Sequence, residues 1–321
     1  MFVNYISNYY LGTLIPYFAK MFKQLVFIIC VFSTAFSFAK VKDTCTGINE
    51  KVEELEQLKL KITEADDTSK VRLNTLFTEK LKTLLTNHHT LTCDLSSLKS
   101  VSILTDPEKK FRIYTWPLEL GGDNYDYFGF TQYKIKKRDE TVVVTELQNA
   151  IFDKVIRDDK TYKADSWRGG LFYKIIAPKK RNNKYYMLLG WDGNNSRSSK
   201  KLIEVLSFSR KGEPKFGAPI IRFDPVDQKK IKFVTKYRIE FEFSSKVAMM
   251  LNYDENLEMI IFDHLSPSNK HLRSVKSTYI PDFTYDALIY KSGKWYMKRK
   301  IEARNKKSTK PKKYKPSDVG E

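Results

Sequence analysis

Apolar positions along this chain repeat with two different periods. Ile48, Val52, Leu55 and Ile62 recur at helical spacing among Glu, Gln and Lys, which predicts an amphipathic helix over about 46–64. Ala65-Asp66-Asp67-Thr68-Ser69 interrupts it and supplies capping residues for the next element. Leu73, Leu76, Phe77, Leu81, Leu84 and Leu85 then form a second stripe, predicting a helix over roughly 69–88. Two helices joined by so short a turn make an antiparallel hairpin. Their two stripes need a further surface to cover them.

From Phe111 the period falls to two. Strands are predicted at Phe111–Trp116, Tyr127–Lys136, Thr141–Leu147, Gly170–Ala177, Lys184–Trp191 and Lys201–Phe208. Others follow at Arg238–Phe243, Val247–Tyr253, Glu258–Asp263, Asp286–Tyr290 and Lys294–Lys298. Turn chemistry separates them at 121–124, 178–183, 192–195, 212–219, 254–256 and 291–293. The segment 148–168 fits either a short helix or a long loop. The fold class is therefore mainly β with an N-terminal helical hairpin (α+β), the β-part being an antiparallel sandwich, barrel or propeller-like sheet set. The hairpin occupies 40–104 and the β-domain 105–298. A lysine-rich, low-hydrophobicity tail, 299–321, reads as disordered.

The N-terminus carries a different signal. Met21-Phe22-Lys23-Gln24 is a short basic region, the run from Leu25 to Phe36 is apolar, and Ser37-Phe38-Ala39 places small residues before Lys40. That order predicts a secretory signal peptide cleaved after Ala39. The alternative is an uncleaved anchor over 22–39. Residues 1–20 have no charge before Lys20 and read as the product of an upstream start codon, with Met21 the true beginning. Cys30 lies inside the apolar run. Cys45 and Cys93 remain, an even pair that in an exported chain reads as a disulfide. The bond would join the start of one helix to the end of the other, which an antiparallel hairpin brings together. His88 and His89 near Cys93 match no zinc spacing, and no metal or cofactor is expected.

The formal net charge is +19, of which Lys20 and Lys23 in the leader contribute two. Such a field draws polyanions. Outside the cytoplasm these would be an acidic glycan, a lipid head group or an envelope protein, and no nucleic acid is expected. Two loop clusters join an aromatic ring to acids and amides, as a ligand rim does. One holds Trp116, Asp123 and Tyr125, the other Trp191, Asp192 and Asn194. Asp192, Asn194 and Ser196 alternate like the start of a calcium loop, but the glycine and distal glutamate are misplaced. Asn194-Asn195-Ser196 has the form of a glycosylation acceptor. Asp263-His264-Leu265-Ser266 is the nearest approach to a catalytic cluster. Neighbours on a strand face opposite ways, so acid–base work there needs a third polar group converging on His264, with Asp286 or Asp123 the candidates. No Gly-x-Ser-x-Gly elbow occurs in the chain.

Four blocks are distinctive as a set: 111–116, 186–195, 259–267 and 285–295. Through them the stretch 105–296 resembles an uncharacterised exported family of Bacteroidota that carries no established activity. The resemblance implies a Gram-negative envelope as the setting and nothing about mechanism. The expectation is an exported periplasmic or envelope protein that binds or scaffolds without catalysis. The alternatives are a hydrolase of an envelope polymer, with Asp263 and His264 as acid–base pair, and a membrane-anchored scaffold.

Overall fold

The computed structural model describes residues 45–122, 124–135, 141–149, 156–177, 184–223 and 234–302. The predicted leader, Asp123, the turn at 178–183 and nearly all of the basic tail lie outside these residues. The chain divides into two compact units. One comprises 45–65 with 72–100, the other 66–71 with 101–302.

In the first unit α1 spans 45–64 and α2 spans Asp67–Leu85. Asp66 caps α2, its carboxylate accepting the Ser69 N–H at 3.1 Å. That bonding to Ser69 holds the Asp66 carboxyl below its ordinary range. Both stripes are buried as their periodicity requires: Ile48, Val52, Leu55 and Ile62 on α1, and Phe77, Leu81, Leu84 and Leu85 on α2. The segment after α2 adds Leu91, Leu95 and Leu98 to the buried set, and Ser100 ties it to α1 by donating from its N–H and hydroxyl to Glu56. Cys45 and Cys93 are disulfide-bonded, with their Cα atoms 5.7 Å apart. α2 stops short of the predicted residue 88. There Asn87 turns its side chain onto the His89 N–H and starts a 3-10 turn, His88–Leu91.

The second unit is three sheets. The first is a four-stranded meander of β1 (Ser102–Thr105), β2 (Phe111–Leu120), β3 (Asn124–Lys134) and β4 (Val142–Leu147). The middle sheet runs β5 (Tyr162–Lys163), β9 (Pro214–Phe216), β8 (Ser198–Phe208), β7 (Tyr186–Asn195) and β6 (Leu171–Ile176), with β12 (Arg238–Ser244) also pairing with β8. The third has the order β11 (Val234–Lys236), β10 (Ile221–Phe223), β16 (Lys294–Ile301), β15 (Tyr279–Lys291), β14 (Met259–Pro267) and β13 (Leu251–Asp254). Every pairing is antiparallel except β10 with β16. The sheets are open rather than closed into a barrel.

The middle sheet explains why two strands read as continuous apolar runs instead of alternating. Met187 and Leu189 of β7 and Ile203 and Val205 of β8 enter one core, shared with Ile260, Phe262, Leu288 and Trp295 of the third sheet. Leu188 and Leu206 point the other way, into a core shared with Phe111, Ile113 and Tyr127 of the first sheet. A sheet buried on both faces needs apolar residues at every position. Its one charge at depth, Glu204, is met directly across the ladder by Arg238 at 2.8 Å. Arg238 donates its remaining N–H groups to the carbonyls of Arg157, Lys160 and Phe216. Burial outweighs this partner and holds the Glu204 carboxyl above its ordinary range.

Several boundaries move. Ser102–Thr105, expected as linker, is a strand. The ambiguous 148–168 holds β5, a 3-10 turn at Ala164–Ser166 and a bridge from Asn149 to Trp167. β13 begins four residues later than predicted, because the Val247 N–H closes a turn onto the Ser244 carbonyl. β16 continues to Ile301, so Arg299–Ile301 belong to the sheet and not to the tail.

Candidate functional site

Asp192-Gly-Asn-Asn195 is not a hairpin turn but the end of β7. The turn is Ser196-Arg197, and Gly193-Asn194 forms a bulge in the ladder between Asp192 and Asn195. Asn194 takes the left-handed conformation there, with φ 56°, which asparagine tolerates better than most residues. A Cβ on Gly193 would lie 2.3 Å from the Tyr125 ring, so only glycine lets that ring settle over the backbone. Tyr125 in turn meets Trp191 edge-on at 5.5 Å. These two predicted site residues do come together.

The polar groups beside them are consumed internally. Asp192 is buried and accepts from the Tyr127 hydroxyl (3.1 Å), the Asn194 N–H (2.8 Å) and Arg168 Nη2 (3.1 Å). Arg168 also makes a two-pronged pair with Glu240. Burial alone would lower Arg168, but the Glu240 and Asp192 carboxylates outweigh it and raise its affinity for the proton. Burial opposes ionisation of Glu240 as well, yet Arg168 holds that carboxyl below its ordinary range. Tyr127 is pushed up by burial and by Asp192. Asn194 donates to Ser198, which donates to Glu242. A carboxylate with its lone pairs already filled does not reach for a ligand, so this network joins strands. Trp116 is 0% exposed, stacked between Phe128 and Phe130. It is a core ring of the first sheet and presents no face to a rim. Asp123 lies outside the described residues.

The other predicted cluster sits where two irregularities meet on β15. β14 and β15 pair regularly up to Asp263↔Tyr285, then resume at Leu265↔Pro281. One residue of β14, His264, therefore faces three of β15: Asp282, Phe283 and Thr284. On its other edge β15 slips against β16 between Tyr285 and Ala287. Asp286 stands at this second slip, 5% exposed, accepting the Lys300 N–H at 3.0 Å and lying 2.8 Å from His264 Nδ1. A carboxylate only accepts, so Nδ1 carries the hydrogen and Nε2 presents its lone pair away from Asp286. Asp282 Oδ2 lies 4.0 Å from that Nε2 and accepts the Ser266 hydroxyl at 2.9 Å. Burial works against Asp282, but the Thr284 and Ser266 hydroxyls, the Thr284 N–H and His264 together hold its carboxyl below the ordinary range. Asp263 takes no part. Its side chain accepts the Met250 N–H at 2.7 Å.

Sequence reasoning placed Asp286 among the candidate partners of His264 but missed Asp282 and Phe283. Phe283 is the tip of the β15 bulge. It holds φ 66° and is 93% exposed. A bulky residue in the left-handed region is strained, and a phenylalanine with no packing to repay that strain is the least expected residue for the position. Pro281-Asp282, turn residues between two strand-like pairs, is the signal that could have located the bulge.

Among the described residues no group of three or more His, Cys, Asp or Glu is placed to hold a metal ion. No family model matches the chain, and neither a curated protein nor a solved structure matches it.

Proposed function

We propose that this chain is exported to the envelope of a Gram-negative bacterium and works there as a non-catalytic binding protein, engaging its target through the bulge of β15. The observation that carries the binding reading is Phe283, held in solvent at a backbone conformation that costs stability. Strain of this kind persists where something other than folding uses it. The predicted leader and the Cys45–Cys93 bond support the compartment. The test is a photo-crosslinking residue at position 283 in the full chain, expressed in its native host, with the same residue at exposed Leu257 as control. Adducts from position 283 alone are expected. No adduct from position 283, or equal adducts from both, removes the reading.

A second reading, hydrolysis of an envelope polymer, is favoured by one geometry. Asp286 supplies the converging polar group that His264 required, and it leaves Nε2 free to take a proton from a bound water or hydroxyl. Purified envelope polymers incubated with the protein would release new chain ends, and His264→Gln would abolish that release. Equal release by both proteins, or none by either, excludes it.

A further inference from the structure

The bulge that carries Phe283 stands in a basic setting. Along β15 it lies between the Pro267↔Tyr279 pair on one side and Tyr285↔Ile301 on the other. Beyond the first pair is the connection 268–278, closed by the Ser268 N–H onto the Thr278 carbonyl. It exposes Lys270, Arg273 and Lys276, with Val275 41% exposed. Tyr279 anchors the connection, its hydroxyl donating to the Arg273 carbonyl at 2.8 Å and accepting from Lys276 at 2.9 Å. At strand rise, Tyr279 is only about 13 Å from Phe283 along the chain. Beyond the second pair, the slip in β16 exposes Lys298, Arg299 and Lys300, and the Asp286–Lys300 bond draws this slip against β15. The acids here are mostly turned to other work: Asp286 is buried on His264, Asp263 holds Met250, and Asp282 holds Ser266 and Thr284. Glu302 alone among them is exposed with no bond given to it. An unpacked aromatic ring thus projects between two sets of exposed cations.

We infer that this end of the third sheet docks on an anionic bilayer, Phe283 entering the boundary between head groups and acyl chains while the lysines and arginines meet lipid phosphates. The inference rests on the binding reading above and names its target. Charge complementarity selects an anionic partner, and the protruding ring selects among anionic partners. A soluble acidic polymer would satisfy the cations but leave Phe283 in water, whereas a lipid surface takes both.

The test is co-sedimentation of the chain from Lys40 onward with mixed phosphatidylcholine–phosphatidylglycerol vesicles, against pure phosphatidylcholine. Binding to the mixed vesicles only is expected. Phe283→Asn leaves the charge unchanged and relieves the backbone, so the fold survives; it should weaken binding by about 10- to 100-fold, the worth of burying one large apolar side chain. Leu257→Ser, at an exposed apolar residue elsewhere, should change nothing. Replacing Lys298, Arg299 and Lys300 with Gln should weaken binding by about fivefold per residue and flatten its salt dependence. Phe283→Asn binding as the parent does would show general electrostatic adsorption and overturn the inference. So would the absence of binding to mixed vesicles. If position 283 crosslinks to a protein or glycan while vesicles fail to bind, the lipid inference falls and the binding reading stands. If position 283 crosslinks to nothing, both fall.

Discussion

Lys59 offers a direct test of the energetics of the helical unit. It sits on α1 between the core positions Leu55 and Ile62, is 5% exposed, and has its ammonium 5.5 Å from the centre of the Phe77 ring. Burial pushes its pKa from 10.5 down to about 8, against the opposing pull of Glu56. Each tenfold loss of proton affinity is worth about 1.4 kcal/mol, so the ammonium costs the folded state ~3 kcal/mol below pH 8. Lys59→Met keeps the length and helix propensity of the stem and removes the charge. It should stabilise the unit by about 2–3 kcal/mol at pH 7, a little being lost with the ring contact. The pH dependence is more telling than the size. Because the folded value lies below the unfolded one, between pH 8 and 10.5 the unfolded chain keeps a proton that the folded chain has released. Parental stability therefore rises across that window relative to the variant, and the gap closes near pH 10.5. Urea denaturation of both proteins, followed by the far-ultraviolet helical signal from pH 6 to 10.5, measures the gap. Groups common to both proteins cancel in the difference. A gap that stays constant over this range, or a variant less stable than its parent at pH 7, would refute the account.

Three further outcomes follow from the packing. Arg238→Met strands the Glu204 carboxylate and three backbone carbonyls in the interior and should cost about 3–5 kcal/mol in thermal melts. The double variant with Glu204→Leu should recover much of that loss. Replacing Cys45 and Cys93 with Ser opens a 48-residue loop and should lower stability by about 4 kcal/mol in the chain-entropy account, read as an earlier loss of the helical signal on heating. Phe283→Asn removes a strained φ from a side chain that packs on nothing, so it should raise the melting temperature through a gain of about 1 kcal/mol, whatever it does to binding.

The two helices and most long strands were legible because each buries a single stripe or face, and that burial writes its period into the chain. Ile48 to Ile62 and Phe111 to Trp116 are examples. The short strands β5, β9, β10 and β11 were not legible, since two or three residues carry no period. The Cys45–Cys93 bond was legible because an αα-hairpin places its two ends side by side. The loop clusters misled for a different reason. Aromatic rings next to acids compose a ligand rim and a buried cross-strand network equally well, and Trp116 and Asp192 turned out to serve the interior.

The sequence by itself determined the local structure and the division into a helical and a β-rich unit, because spacing and turn chemistry act over a few residues. Only the tertiary structure decided which charged groups meet and which ring stays outside. His264 and Asp286 are 22 residues apart, and Arg168 and Glu240 are 72 apart. Their contacts depend on strand register and on where the ladder slips, and a slip of one residue reverses every side chain beyond it.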